Sequence, residues 1–193
     1  VEPGMVIVKS TTYGESWMVY HRSTGATNTM VLNATYAAYA NSKIWDNTEP
    51  TDAVFTVGTD TSTNLVDGEY VAYVFAHDES DDGSSMIKCG SYTGSGAGGH
   101  EIDLGWEPQW VMIKNATTAK PWCMFDSMRG IVTGDKDSKI EANESGAEAT
   151  YEDALSLSAT GFTLSDGNLD NNASGDDYIF MAIRRPNKPA EEF

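Results

Sequence analysis

A chain of 193 residues, 40% hydrophobic and 10% aromatic, holds enough apolar material for one large or two small packed cores, which excludes general disorder. Its 12 Lys and Arg against 29 Asp and Glu leave a formal charge of −17, a field that repels phosphates and speaks against nucleic acid as a partner. A solubilising acidic surface accounts for the charge, with metal cations or a basic partner as the sharper readings. No apolar run has bilayer-spanning length and nothing reads as a signal peptide, so no membrane insertion is expected. The chain starts at Val1, as an excerpt or a processed product would.

From the N-terminus, residues 5–8 (MVIV), 17–20 (WMVY), 55–57 (FTV) and 70–76 (YVAYVFA) are short β-branched or aromatic runs. Clusters of Gly, Asn, Asp, Ser and Thr separate them, the pattern of strands and turns. Helical periodicity is weak throughout. Residues 70–76 are apolar without alternation, as are residues 178–183 (YIFMAI), and both predict a central strand covered on its two faces. The polar turn at 78–83 (DESDDG) marks a boundary between a first unit, 1–83, and a second, 84–193. Beyond it, residues 86–92 read as a strand and 93–100 (TGSGAGGH) as a flexible hinge. Cys89 and Cys123, in apolar surroundings and without CxxC spacing, read as buried free thiols, with a single bridge as the alternative.

The chain also repeats itself. Residues 2–9 (EPGMVIVK) and 107–114 (EPQWVMIK) align at an offset of 105, which also brings Trp17 onto Trp122, Tyr20 onto Phe125 and Gly25 onto Gly130. Asn33 and Ala37 match Asn143 and Ala147 at 110, Phe55 and Thr56 match Phe162 and Thr163 at 107, and 70–75 matches 178–183. Small changes in loop length explain the drift. The expected fold class is therefore all-β, two tandem β-sandwich, jelly-roll-like repeats of about 105 residues. Only the second unit has a strand and a Gly-rich loop ahead of its EPQWVMIK. The first either loses this opening strand or receives it from another segment.

The string SYTGSGAGGHEIDLGWEPQWVMIKN at 91–115, followed by WCMFDSMRG, ANESGAEA, GFTL and DDYIFMAI, carries a family resemblance. It resembles a repeated domain of tail-fibre and other virion structural proteins of tailed phages, particularly those of marine and cyanobacterial hosts. The second unit matches from about 87 to 185 and the first from 2 to about 76, with HRSTG at 21–25 in place of DSMRG. The resemblance implies a β-sandwich module of the virion, often in tandem, partnered by other virion proteins, copies of itself and a host-surface glycan. It brings no catalytic residues. A tail-fibre or related exterior component is the leading expectation; a capsid decoration protein and a polysaccharide-degrading enzyme are its rivals.

Asp126, next to Trp122 and near Arg129, is the best carboxylate for glycoside chemistry. Its counterpart in the first unit is His21, however, and that of Arg129 is Thr24, so a locally capped turn is the plainer reading. His21, His77 and His100 lack metal-ligand spacing and read as surface or strand-end residues. The acidic loops at 78–82 and 166–177 offer oxygen ligands of the kind calcium takes. The first opens like an EF-hand with Gly83 in sixth place, but Cys89 stands where the final Glu belongs, and solvated turns are the expectation. No catalytic, cofactor-binding or metal residue is assigned. For stacking on sugar rings the candidates are Trp45, Tyr36 and Tyr39, while Trp17, Trp110 and Trp122 read as core. NxS/T sequons at Asn33, Asn115, Asn143 and Asn172 arise readily by chance in so Asn-, Ser- and Thr-rich a chain.

Overall fold

The computed structural model describes residues 1–79, 85–131, 136–151 and 154–185. In chain order the elements are β1 (Pro3–Ser10), β2 (Met18–His21), β3 (Asn28–Val31), β4 (Tyr39–Ala40), α1 (Ser42–Trp45), α2 (Thr61–Asn64) and β5 (Tyr70–Ala76). There follow β6 (Ile87–Thr93), β7 (His100–Asp103), β8 (Pro108–Asn115), β9 (Trp122–Asp126), β10 (Asp137–Glu141), β11 (Ala149–Tyr151), β12 (Leu155–Ser158), β13 (Gly161–Leu164) and β14 (Asp177–Arg184). At 42% strand and 5% helix the chain is an all-β protein of several antiparallel sheets. Both helices are single turns opened by a side-chain cap, Asn41 accepting from the Lys43 N–H and Asp60 from the Ser62 N–H.

Three sheets form, with strand orders β4-β3-β2-β1-β5, β11-β10-β9-β8-β14-β6 and β12-β13-β7. The first two share more than their order. Met5, Val6, Ile7 and Val8 face His21, Tyr20, Val19 and Met18, while Trp110, Val111, Met112 and Ile113 face Asp126, Phe125, Met124 and Cys123. Ser10 pairs with Tyr70 as Asn115 pairs with Tyr178, and the irregularity between Pro3 and Met5 recurs between Pro108 and Trp110. Asn28 and Thr29 face Ala40 and Tyr39 as Ser138 and Lys139 face Thr150 and Ala149.

The connections follow suit. The Trp17 and Trp122 N–H groups donate to the side chains of Asn33 and Asn143. The Tyr70 hydroxyl donates to the Thr61 carbonyl and accepts from the Leu65 N–H; the Tyr178 hydroxyl does the same with Leu169 and Ala173. A buried or half-buried backbone group needs a partner, and the same short polar side chains supply it in both places.

Side chains of the first sheet alternate between two cores, as the pleat requires. Met5, Ile7, Val19 and Met30 meet Met112, Trp122, Ile179 and Met181 of the second sheet, with Cys89 of β6 among them. On the opposite face, Val6, Val8, Met18, Tyr20 and Val31 pack against Ile44 and Trp45 of α1. The second sheet in turn presents Val111, Ile113, Phe125, Tyr178 and Phe180 to Ile102, Leu155, Phe162 and Leu164 of the third. The resulting layers are the α1 segment, first sheet, second sheet and third sheet. The Trp122 indole N–H donates to the Val31 carbonyl at 2.9 Å, a polar bond that ties the two large sheets together inside an apolar seam.

Four local expectations change. Residues 55–57 are not a strand, although Phe55 and Val57 do pack on the first sheet. Their counterpart β13 is held on one side by β12 and on the other by β7, and no described segment of the first half plays either part. β14 is central, between β8 and β6, but β5 ends its sheet, with β1 as its one described neighbour. Residues 93–100 are no hinge. The Gly94, Gly96 and Gly99 N–H groups donate to the Asp176, Asn172 and Leu164 carbonyls, and a Cβ on Gly94 would lie 2.1 Å from the Ala173 oxygen. His21 is a fully buried core residue, not a surface one. Cys89 and Cys123 are buried free thiols.

Candidate functional site

Cys89 of the edge strand β6 lies against Gly4 and His77, and the far end of the strand comes up to the β2–β3 turn. At that far end the sheets part and leave a cleft of about 530 Å³. Ser23, Thr24 and Asn28 of the turn form one wall, and Ser91 and Thr93 of β6 with Asp177 of β14 form the other. Turn and strand-end positions carry such short polar side chains because they also hold the local backbone: the Thr24 hydroxyl donates to the His21 carbonyl, and the Asn28 amide to the Thr24 carbonyl. Asp177 Oδ1 accepts from the Thr93 hydroxyl at 2.8 Å, fixing the carboxylate on its own wall.

The 32–40 segment closes the cleft at a third side. Its Ala38 lines the opening and donates its N–H to the Ala116 carbonyl at 3.0 Å, and the Thr35 carbonyl accepts from the buried Lys114 ammonium. Burial pushes that ammonium down to about 8; a second bond, to the adjacent Asn115 carbonyl at 2.7 Å, holds it in place, and the bond to Thr35 makes it a strap between the halves. Tyr36 and Tyr39 flank Ala38 and are 60% and 38% exposed. Partial burial raises the Tyr39 phenol, with Asp60 and then Tyr36 adding to the shift.

Of the three residues picked out for sugar stacking, Trp45 is removed from the set. It is 2% exposed, lies edge-on to Tyr20 with ring centroids 6.0 Å apart, and donates its indole N–H to the Thr29 hydroxyl. The sequence pattern hid this because α1 is a single turn with no periodicity to reveal its buried side. Tyr36 and Tyr39 stay accessible. The polar cleft residues went unread, since they come together only where two sheets pack face to face and no sequence spacing marks them.

The remaining chemical candidates are occupied structurally. Asp126 accepts from the Met128 and Arg129 N–H groups and from the Arg129 guanidinium. Burial opposes its charge, but those bonds hold the carboxyl below its usual range, as befits a turn cap and not a proton donor. His21 donates from Nε2 to the Phe180 carbonyl at 3.0 Å and accepts at Nδ1 from the Ser23 N–H, and burial pushes the ring down to about 4. Burial likewise pushes the Cys89 and Cys123 thiols up to about 12, far from a reactive thiolate.

In the acidic stretch 166–177, Asp166 accepts from the Asn168 N–H, Asp170 pairs with Lys139 and Lys120, and Asp176 accepts from Asn115 and Thr118. Among the described residues no three His, Cys, Asp or Glu gather as a metal site, and the calcium reading of 78–82 falls largely outside those residues. All four sequon asparagines accept backbone N–H bonds, Asn33 from Trp17, Asn115 from Thr117 and Thr118, Asn143 from Trp122 and Asn172 from Ser95. Their sequence context thus follows from turn building. Among the described residues no helix is long and apolar enough to cross a membrane.

No curated protein and no solved structure matches the chain. A family model for a domain of unknown function, DUF7483, matches residues 1–186, and the chain belongs to that family.

Proposed function

We propose that this chain is a non-catalytic structural protein of a tailed-phage virion, a tail-fibre or related exterior component that serves in assembly and host-surface attachment. Residues 1–83 and 84–193 are, in this reading, two tandem copies of one β-sandwich unit. The shared strand order, register and turn bonds of the two large sheets support it. So does the sequence resemblance of 87–185 to virion modules. The particle's other proteins and further copies of the chain are its partners.

One observation carries the attachment reading: two accessible Tyr residues belong to the segment whose Ala38 lines a cleft walled by hydroxyls, an amide and a carboxylate. Aromatic faces take the apolar side of a sugar, and neighbouring hydrogen-bonding groups take its hydroxyls. The ligand is then a host-surface polysaccharide. Titration of the chain with polysaccharide from tailed-phage hosts, followed by calorimetry, tests this. Replacing Tyr36 and Tyr39 together by Ala weakens binding by roughly tenfold or more, at about 1 kcal/mol for each ring. Release of new reducing ends by the chain would instead make it a depolymerase.

A further inference from the structure

The two large sheets differ at one edge. In the second, β6 runs antiparallel along β14 from Ile87–Ile183 to Thr93–Asp177, and Met181 and Ala182 are 4% and 0% exposed. Their counterparts by register in the first sheet, Tyr73 and Val74 of β5, are 46% and 51% exposed. β5 pairs with β1 along one side, and no described strand takes the other. Tyr70 to Ala76 contain no charge and no proline, so the strand lacks the usual protections of an edge that is left in water.

We propose that β5 is an interface strand, pairing edge to edge and antiparallel with β5 of a second copy of this chain about a twofold axis at Tyr73. The strand is complementary to itself in that register. Tyr73, at its midpoint, meets Tyr73 of the second copy; Val71 lies opposite Phe75, Ala72 opposite Val74, and Tyr70 opposite Ala76. Aromatic with aromatic and aromatic with β-branched are the favourable cross-strand pairs. Trp17 is already stacked on Tyr73, with centroids 6.2 Å apart and planes at 24°, so the axis generates a run of four aromatic rings on one face. An isologous contact of this kind closes on itself and converts two five-stranded sheets into one of ten. It stands on sheet geometry alone and holds wherever the protein acts.

Charge makes the test specific. Two bodies of formal charge −17 repel at long range, while the seam itself is uncharged. Raising salt from about 0.1 M to 1 M shortens the screening length from about 10 Å to 3 Å and removes the repulsion. Sedimentation velocity of the full chain over a wide concentration range therefore shows a monomer–dimer equilibrium that tightens as salt rises. Tyr73→Lys places two ammonium groups across the axis and weakens the dimer by about tenfold or more. Tyr73→Cys, with Cys89 and Cys123 buried, gives a covalent dimer with a short thiol cross-linker. A monomer at every salt concentration overturns the proposal. So does a dimer that Tyr73→Lys leaves intact, or one in which Tyr73→Cys does not cross-link.

Discussion

The sheet around β1 and the sheet around β8 answer the same pairing pattern with different surroundings. Both lay five strands in one order and register, and both cap the same turns with Asn and Tyr. The second is then covered on its outer face by three further strands and along one edge by β6, whereas the first has the α1 segment outside and an open β5 edge. Pairing register is thus a property that each of the segments 3–76 and 108–184 carries with it, and burial is decided by what else is stacked on them. Equivalent residues can be core in one place and surface in the other.

Trp122 and Trp17 offer the largest contrast. Trp122 is fully buried between the sheets and holds the Val31 carbonyl, while Trp17 is half-buried against Tyr73. Trp122→Ala costs about 3–5 kcal/mol and Trp17→Ala about 1–2 kcal/mol in urea unfolding. Equal losses would mean that the seam between the sheets is not a shared core.

His21 and Asp126 occupy the same register position, and pH separates them. A His whose folded pKa lies near 4 instead of 6.5 binds fewer protons folded than unfolded, so its contribution to stability is complete above about 6.5 and is lost as pH falls towards 4. The loss approaches roughly 3 kcal/mol at the acid end. Unfolding free energies at pH 7 and pH 4.5 should therefore diverge more for the native chain than for His21→Asn, which does not titrate. Identical slopes would remove His21 from the buried seam.

Tyr178 and Tyr70 make the same two hydroxyl bonds and sharpen the comparison at the smallest scale. Phe at 178 leaves the Ala173 N–H unpaired in a well-covered loop and costs about 1–2 kcal/mol. Phe at 70, where water reaches more easily, costs about 0.5–1 kcal/mol. A reversed order in thermal unfolding would contradict the burial difference between the halves.

Which parts were legible follows from how local their causes are. The strands at 5–8, 17–20, 86–92 and 178–183 could be read because β-branched and aromatic runs between turn residues commit the backbone within a few positions. Tyr36 and Tyr39 could be picked as accessible because they sit in a weakly strand-like, polar-flanked stretch. Trp45 could not, since a single helical turn shows no face. Residues 55–57 misled because their β propensity matches that of 162–164, while the strands that would have held them belong to the second half only. The glycines at 93–100 looked like a hinge by composition, but they are small so that the 165–176 backbone can approach them.

By itself the sequence determined the all-β class and the place of most strands, because β propensity and turn chemistry act between neighbours along the chain. The tertiary structure decided which faces meet, where the polar cleft opens between β6 and the β2–β3 turn, and that β5 is left at an edge. Those outcomes depend on contacts between residues as far apart as Val31 and Trp122, and no local pattern records which distant strand will arrive to cover a given face.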